Sequence, residues 1–326
     1  MRALRFARQG SLEALELVDA PEPVPAPGEA LVAVRAAGIN PSDVKNVLGR
    51  MAQTTLPRIP GRDFAGVVVA GSAALLGAEV IGSGDGLGFT RDGSHAELLA
   101  VPEEALVRKP AELSFEHAAA LGVPFLTAWS AMIDAAGIRR GETALILGIN
   151  GAVGSAAGQI ARWRGARVIG TLRLAAGAAP PVEPDTGLPA DLLVDLSDQE
   201  LVPSVLAATN GRGVDVVLDV VGGALFEPCL RCLAQHGRQV AIAATGDPRV
   251  TFNLADFYHR QAHLVGVDSL ALTFADARDI FHQILPLFRD GTLHPPAVRP
   301  WPLDVALAAY RHVDRREEPA KIVLVP

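Results

Sequence analysis

The stretch TALILGINGAVGSAAGQIARWRG, residues 143–165, decides the fold. Its first seven residues form an apolar run without alternation, as expected of a strand buried on both faces of a parallel sheet. Gly148-Ile-Asn-Gly151-Ala-Val-Gly154 follows, and then an Ala-rich helical segment that ends at Gly165. A strand running through such a turn into a helix presents backbone N–H groups where the helix dipole favours an anion. One G-x-x-G-x-x-G among 32 glycines is a weak signal by itself. Its placement between a buried strand and a helix, with the strand ARVIGT (166–171) one βαβ unit later, marks a dinucleotide site. Gly148, Gly151, Ala152, Val153 and Gly154 are the expected pyrophosphate contacts.

The end of the second strand selects the dinucleotide. An acid there binds the ribose hydroxyl pair of NAD, whereas this strand ends Thr171-Leu172-Arg173. An uncharged position followed by a guanidinium suits a 2′-phosphate, a bidentate partner for arginine. NADPH is therefore the expected cofactor, with Thr171 and Arg173 at its 2′-phosphate. The competing reading leaves Arg173 a solvated loop residue.

Working outward, VDVVLDVV (214–221) and RQVAIAAT (238–245) are further buried strands, and TAWSAMIDAAG (127–137) reads as a helix. Alternating strands and helices imply an α/β, doubly wound parallel sheet. Before it, ALVAVRAAG (30–38), FAGVVVAG (64–71), AEVIGSG (78–84) and HAELLAVP (95–102) are short apolar runs bounded by Gly and Pro, a largely β domain. After about residue 270 come a helix, ADARDIFHQILPLFRDG, a Pro-rich turn, PPAVRPWPL, another helix and a last strand, KIVLV. The expected division is 1–120, 121–270 and 271–326, the last segment returning to the first domain. Residues 175–193 hold three prolines where a crossover helix belongs, so a loop or shortened helix is expected. EPCLRCLAQHG (227–237) reads as one helix ending at Gly237, with Cys229 and Cys232 as packing residues.

With 326 residues, 49% hydrophobic and 20% charged, the chain has ample core for two domains. A net charge of −7 argues against nucleic acid and anionic membrane as partners. Acidic residues within the first twenty positions argue against an export signal, and the longest apolar stretch, Ala144–Ala161, is too rich in Gly and polar residues to span a membrane. A cytoplasmic enzyme of small molecules is expected.

Several further motifs carry a resemblance: Gly38-Ile39-Asn40-Pro41-Ser42-Asp43, Ile59-Pro60-Gly61-Arg62-Asp63-Phe64-Ala65-Gly66, Asp92-Gly93-Ser94-His95-Ala96-Glu97, and Ala118–Leu121 with Leu126-Thr127-Ala128-Trp129. In order and spacing they resemble the medium-chain dehydrogenase/reductases, nearest the quinone oxidoreductases. The resemblance implies a GroES-like catalytic domain, a Rossmann domain for the cofactor, and a homodimer joined through the Rossmann sheets. Zinc enzymes of this superfamily take metal ligands at positions where this chain has Asn40, Arg62 and Val123, none of which replaces a thiolate or imidazole. No metal is therefore expected. His259 and His263 have helical spacing, but Arg260 stands where a H-E-x-x-H site needs glutamate, so they are read as one helix face.

Without a metal to polarise an alcohol, the implied chemistry is hydride delivery to an activated acceptor, a quinone or an α,β-unsaturated carbonyl. An acryloyl-CoA-type thioester reductase and a non-catalytic NADPH binder are the alternatives. By resemblance, Asn40, Ser42 and Lys45 are the catalytic candidates. Thr127, Ala244, Thr245, Gly246, Val267 and Ser269 are expected near the cofactor. Many quinone oxidoreductases have a tyrosine where this chain has Lys45, which either serves the acceptor carbonyl or is an ordinary surface lysine.

Overall fold

An antiparallel pair, β1 (Arg2–Phe6) and β2 (Leu15–Asp19), precedes the ten-residue strand β3 (Glu29–Gly38), around which the first sheet is built. β3 alternates half-buried and buried positions through Val34 and is wholly buried from Ala36, as it passes from a sheet face into the interior. Pro41 then starts α1 (Pro41–Val47), where a proline's missing N–H costs nothing, and Asp43 Oδ2 accepts from the Asn40 backbone N–H at 2.7 Å. β4 (Asp63–Ala70), β5 (Glu79–Gly82), β6 (Leu98–Pro102) and β7 (Val107–Arg108) follow, then the helices α2 (Phe115–Ala119) and α3 (Gly122–Trp129). A computed structural model describes residues 1–174, 187–245 and 247–326. Gly246 and most of the Pro-rich segment 175–193 lie outside the described residues.

The central part of the chain forms a six-stranded sheet in which every pairing is parallel. Its elements are β8 (Thr143–Ile146), α4 (Ala152–Trp163), β9 (Arg167–Leu172), β10 (Leu192–Asp195), α5 (Leu201–Ala208), β11 (Val214–Asp219), α6 (Phe226–Cys232), β12 (Leu233–Ala241), α7 (Leu254–His259) and β13 (His263–Gly266). The strand order is β10-β9-β8-β11-β12-β13, so the direction of winding reverses between β8 and β11. A crevice forms at that reversal, beyond the carboxyl ends of the two strands. Leu145, Leu147, Ile169, Val194, Val205, Val217 and Cys229 are among the buried residues of this unit's core.

The chain ends with α8 (Phe274–Arg289), β14 (Val298–Pro302), α9 (Ala306–Arg315) and β15 (Lys321–Val325). β15 pairs antiparallel with β3 and parallel with β14, giving the first sheet the order β14-β15-β3-β4-β5-β7 with β6 on β3. Two units result, Met1–Leu126 with Ser269–Pro326, and Thr127–Asp268. No helix among the described residues is long and apolar enough to cross a membrane.

Three sequence expectations need correction. The helix expected through Gly237 stops at Cys232, because Leu233 turns extended and pairs with Val214. The glycine mistaken for a helix cap lies in a bulge, where His236 takes a φ of 60°. Cys229 and Cys232 do remain within α6, free and buried, and burial pushes the Cys232 thiol up to about 12. His259 and His263 do not share a helix: α7 ends at His259, Gln261 turns at a φ of 49°, and His263 begins β13. The expected Pro-rich turn is partly strand β14, whose prolines are tolerated because it is an edge strand.

Candidate active site

In the first unit the positions of Asn40, Arg62–Asp63 and Val123 converge. Asn40 sits at the junction of β3 and α1, Asp63 opens β4, and Val123 lies in the first turn of α3. Asn40 Nδ2 donates to Asp63 Oδ2 at 2.9 Å, and the Val123 backbone N–H lies 3.0 Å from both Asp63 oxygens. Ser83 Oγ donates to Asp63 Oδ1 at 2.8 Å. A carboxylate is well placed at a helix N-terminus, where unpaired N–H groups and the dipole favour negative charge. Gly122 permits the approach: a Cβ there would stand 2.1 Å from Asp63 Oδ1.

The cations around these carboxylates come from distant positions. Lys321, the first residue of β15, donates through Nζ to Asn40 Oδ1. Arg62 Nη1 donates to Ser42 Oγ at 3.3 Å, and its Nη2 donates to the Ser269 carbonyl at 2.8 Å. Asn40, Asp43, Arg62, Asp63 and Lys321 are all buried. Burial raises the Asp43 carboxyl to about 6, against the pull of its hydrogen bond from Asn40 and of the Arg62 charge. Burial lowers the Lys321 ammonium, although Asp63 and Asp43 oppose that shift. His95 is buried beside this cluster, and burial pulls its imidazole down to about 3. Its Nδ1 lies 2.8 Å from the Tyr310 hydroxyl and its Nε2 lies 3.4 Å from the Gly38 carbonyl. A carbonyl only accepts, so Nε2 carries the proton and Tyr310 donates to Nδ1.

These residues do not fit a zinc ion. A carboxamide occupied at both ends and two cations, Arg62 and Lys321, stand where thiolate or imidazole ligands and a dication would have to be. Among the described residues there is no group of three His, Cys, Asp or Glu able to hold a metal.

In the second unit the glycine turn joins β8 to α4. Gly148 takes a φ of 61°, its N–H lies 3.3 Å from Thr171 Oγ1, and the Ile149 N–H donates to the Thr171 carbonyl at 2.9 Å. Thr171 thus ties the turn to the end of β9. Gly151 is the N-cap of α4 and offers no side-chain cap, so the N–H groups of Ala152 and Val153 in the first turn are left for another acceptor. Arg173 is exposed just beyond β9. Thr127, on α3, is buried with its Oγ1 unpartnered. A dinucleotide fits this arrangement: anion donors at a bare helix N-terminus, a cation beyond the next strand, and a buried hydroxyl lacking a partner.

The remaining sequence candidates are distributed along both units. Thr245 is exposed, and its N–H and Oγ1 both donate to the Val221 carbonyl, which ties the end of β12 to the turn after β11. Ala244 beside it is exposed, and the Val267 N–H donates to the Ala241 carbonyl at 3.0 Å. Ser42 and Ser269 meet on Arg62, and Lys45 is half-buried on α1. Sequence reasoning missed Lys321 altogether and read Asp63 only as part of a motif. A lone lysine opening the apolar run KIVLV was the available signal.

Two family models and several known proteins match this chain. The zinc-binding dehydrogenase family matches residues 152–288, and the alcohol dehydrogenase GroES-like domain matches residues 26–111. A zinc-type alcohol dehydrogenase-like protein of Schizosaccharomyces pombe is 37% identical over 300 residues, 89% of this chain and 85% of that protein. The quinone oxidoreductase of Pongo abelii is 27% identical over 96% of this chain and 94% of its own length. Among solved structures, one described as an NAD-dependent alcohol dehydrogenase superposes with a TM-score of 0.89 at 31% identity, covering 100% of both chains. A mycobacterial protein complexed with NADPH superposes with a TM-score of 0.86 at 26% identity, again over 100% of both chains.

Proposed function

From a chain that belongs to the medium-chain dehydrogenase/reductase superfamily, in its quinone oxidoreductase-like branch, we propose a zinc-independent reductase that uses NADPH and acts on a quinone or an α,β-unsaturated carbonyl. The observation that carries this reading is Asn40. At the position of a metal ligand the chain holds a carboxamide bonded to Asp63 and Lys321, so an unactivated alcohol has no Lewis acid to polarise it.

NADPH, when bound, supplies the hydride. The backbone donors of Gly151–Gly154 bind its pyrophosphate, Thr171 and Arg173 receive the 2′-phosphate, and Thr127 Oγ1 gains the partner it lacks. Asn40 and Ser42 orient the acceptor oxygen and stabilise the negative charge that develops on it, and Lys45 follows three residues after Ser42 on α1. Ala244, Thr245 and Val267, in the same unit as the glycine turn, complete the cofactor's surroundings. The exposed edge strand β13, carrying Leu264, supports a homodimer formed by sheet extension, and the family resemblance supports a cytoplasmic enzyme.

Steady-state oxidation of NADPH against a panel of quinones, enones and enoyl thioesters tests the proposal. Turnover with quinones or simple enones is the expected result. Turnover confined to CoA thioesters selects the thioester branch, and tight NADPH binding with no turnover on any member makes the chain a binder instead.

A further inference from the structure

Asn40 is held from two sides by partners of opposite kind. Lys321 Nζ, an obligate donor, faces its Oδ1, and Asp63 Oδ2, an obligate acceptor, takes its Nδ2 hydrogen at 2.9 Å. A flipped carboxamide would set ammonium against NH2 and carboxylate against carbonyl, two repulsive contacts in a region shielded from water. Neither partner can turn away to solvent, since Lys321 is 6% and Asp63 1% exposed. Asp63 is itself fixed from behind by Ser83 and by the first turn of α3, and Lys321 by the pairing of β15 with β14.

We propose that Lys321 and Asp63 are positioning residues that hold the Asn40 carboxamide in one orientation, leaving one Nδ2 hydrogen and one Oδ1 lone pair for a ligand. A ligand oxygen then meets a donor that is already aimed, with no side-chain rotor to freeze on binding. The role of that donor in turnover rests on the reductase reading given above. The orientation itself does not.

The test therefore has two arms. In the first, the full chain without cofactor or acceptor is labelled with 15N at the side-chain amides of its five asparagines, and Asn40 is identified by the signal missing from Asn40→Ala. The expected result is two inequivalent Asn40 protons that exchange slowly with water. Lys321→Met should speed that exchange at least tenfold, and Lys321→Gln, which restores an N–H donor, should recover most of the protection. If Lys321→Met does not fold, Asp63→Asn carries the same expectation, because its amide removes the obligate acceptor. Equal exchange in wild type and variant overturns the proposal.

In the second arm, kcat for NADPH oxidation should fall about tenfold in Lys321→Met with the KM for NADPH little changed, and removing Lys321 from Asn40→Ala should cost nothing more. Independent, additive losses mean that Lys321 does not act through Asn40, and overturn the proposal as well. A wild-type protein that turns over none of the quinones, enones or enoyl thioesters disposes of the reductase reading alone, while the exchange rates still decide the orientation.

Discussion

Gly154 stands so close to Gly148 that a Cβ on it would lie 2.2 Å from the Gly148 carbonyl oxygen. Gly151, three residues earlier, has a φ of −82°, and a Cβ there would meet that same oxygen at 3.3 Å, a tight contact rather than an overlap. Chain packing thus forbids a side chain at 154, whereas at 151 the proposed approach of a pyrophosphate is the stronger demand.

Gly151→Val should fold, with a melting temperature near that of wild type, and bind NADPH at least tenfold more weakly. Gly154→Ala should instead lose about 1–3 kcal/mol of stability through forced overpacking. Fluorescence titration and thermal melts separate the two. Unchanged NADPH affinity in folded Gly151→Val would remove the turn from the site.

In the proposed reading Arg173, an exposed residue, selects NADPH by a single charge. Arg173→Ala should cost about 1.5–3 kcal/mol of NADPH binding and barely touch NADH, flattening the preference by roughly ten- to a hundredfold. The comparison of KM values is best made at low salt. Equal losses for both cofactors indicate packing, and no loss for either returns the residue to solvent.

Activity should survive EDTA and dialysis, because Asn40 and Arg62 are engaged by Asp63, Lys321, Ser42 and Ser269. Stoichiometric zinc in the purified protein, with activity lost on chelation, contradicts the reading.

Acid stability follows from two buried groups with opposite signs. The folded Asp43 carboxyl, at about 6, binds its proton more tightly than the unfolded one, so its contribution lowers stability as pH rises from about 4 to about 6. The folded His95 imidazole, at about 3, binds its proton less tightly, so stability is lost as pH falls from about 6.5 toward 3. Between pH 4 and 6 the two oppose each other. Asp43→Asn should stabilise the protein by about 1–3 kcal/mol above pH 6.5, with the gain vanishing below pH 4 and a steeper acid loss from the unopposed His95. Urea unfolding at several pH values reads this directly, and a gain that persists at pH 4 excludes buried charge as its cause.

The glycine turn and its flanking strands were legible because the signal is local: an unbroken apolar run, three glycines and a helix within 23 residues. The apolar run of β3, closed by Gly38, was equally local. The boundary at Cys232 was not, because Gln235-His236-Gly237 looks like a helix C-terminus until pairing with Val214 draws Leu233 into the sheet. β14 was hidden by its prolines, which an edge tolerates and a central strand would not. At the site, Asn40 was identified through its motif. The groups that hold it were not, since the contact between Lys321 and Asn40 spans 281 positions and no local pattern reports a contact of that range.

The placement of β15 also bears on how the molecule comes into being on the ribosome. β3 is made well before the strand that lies beside it, β15, with the whole of Thr127–Asp268 translated in between. The central unit is continuous in the chain and can close while synthesis proceeds, whereas the first sheet must wait with the Ala37–Gly38 end of β3 lacking its β15 partner. Asn40 acquires its lysine only after the whole of Thr127–Asp268 has been translated. The cluster around Asn40 is thereby assembled after the central unit has been made, not before it.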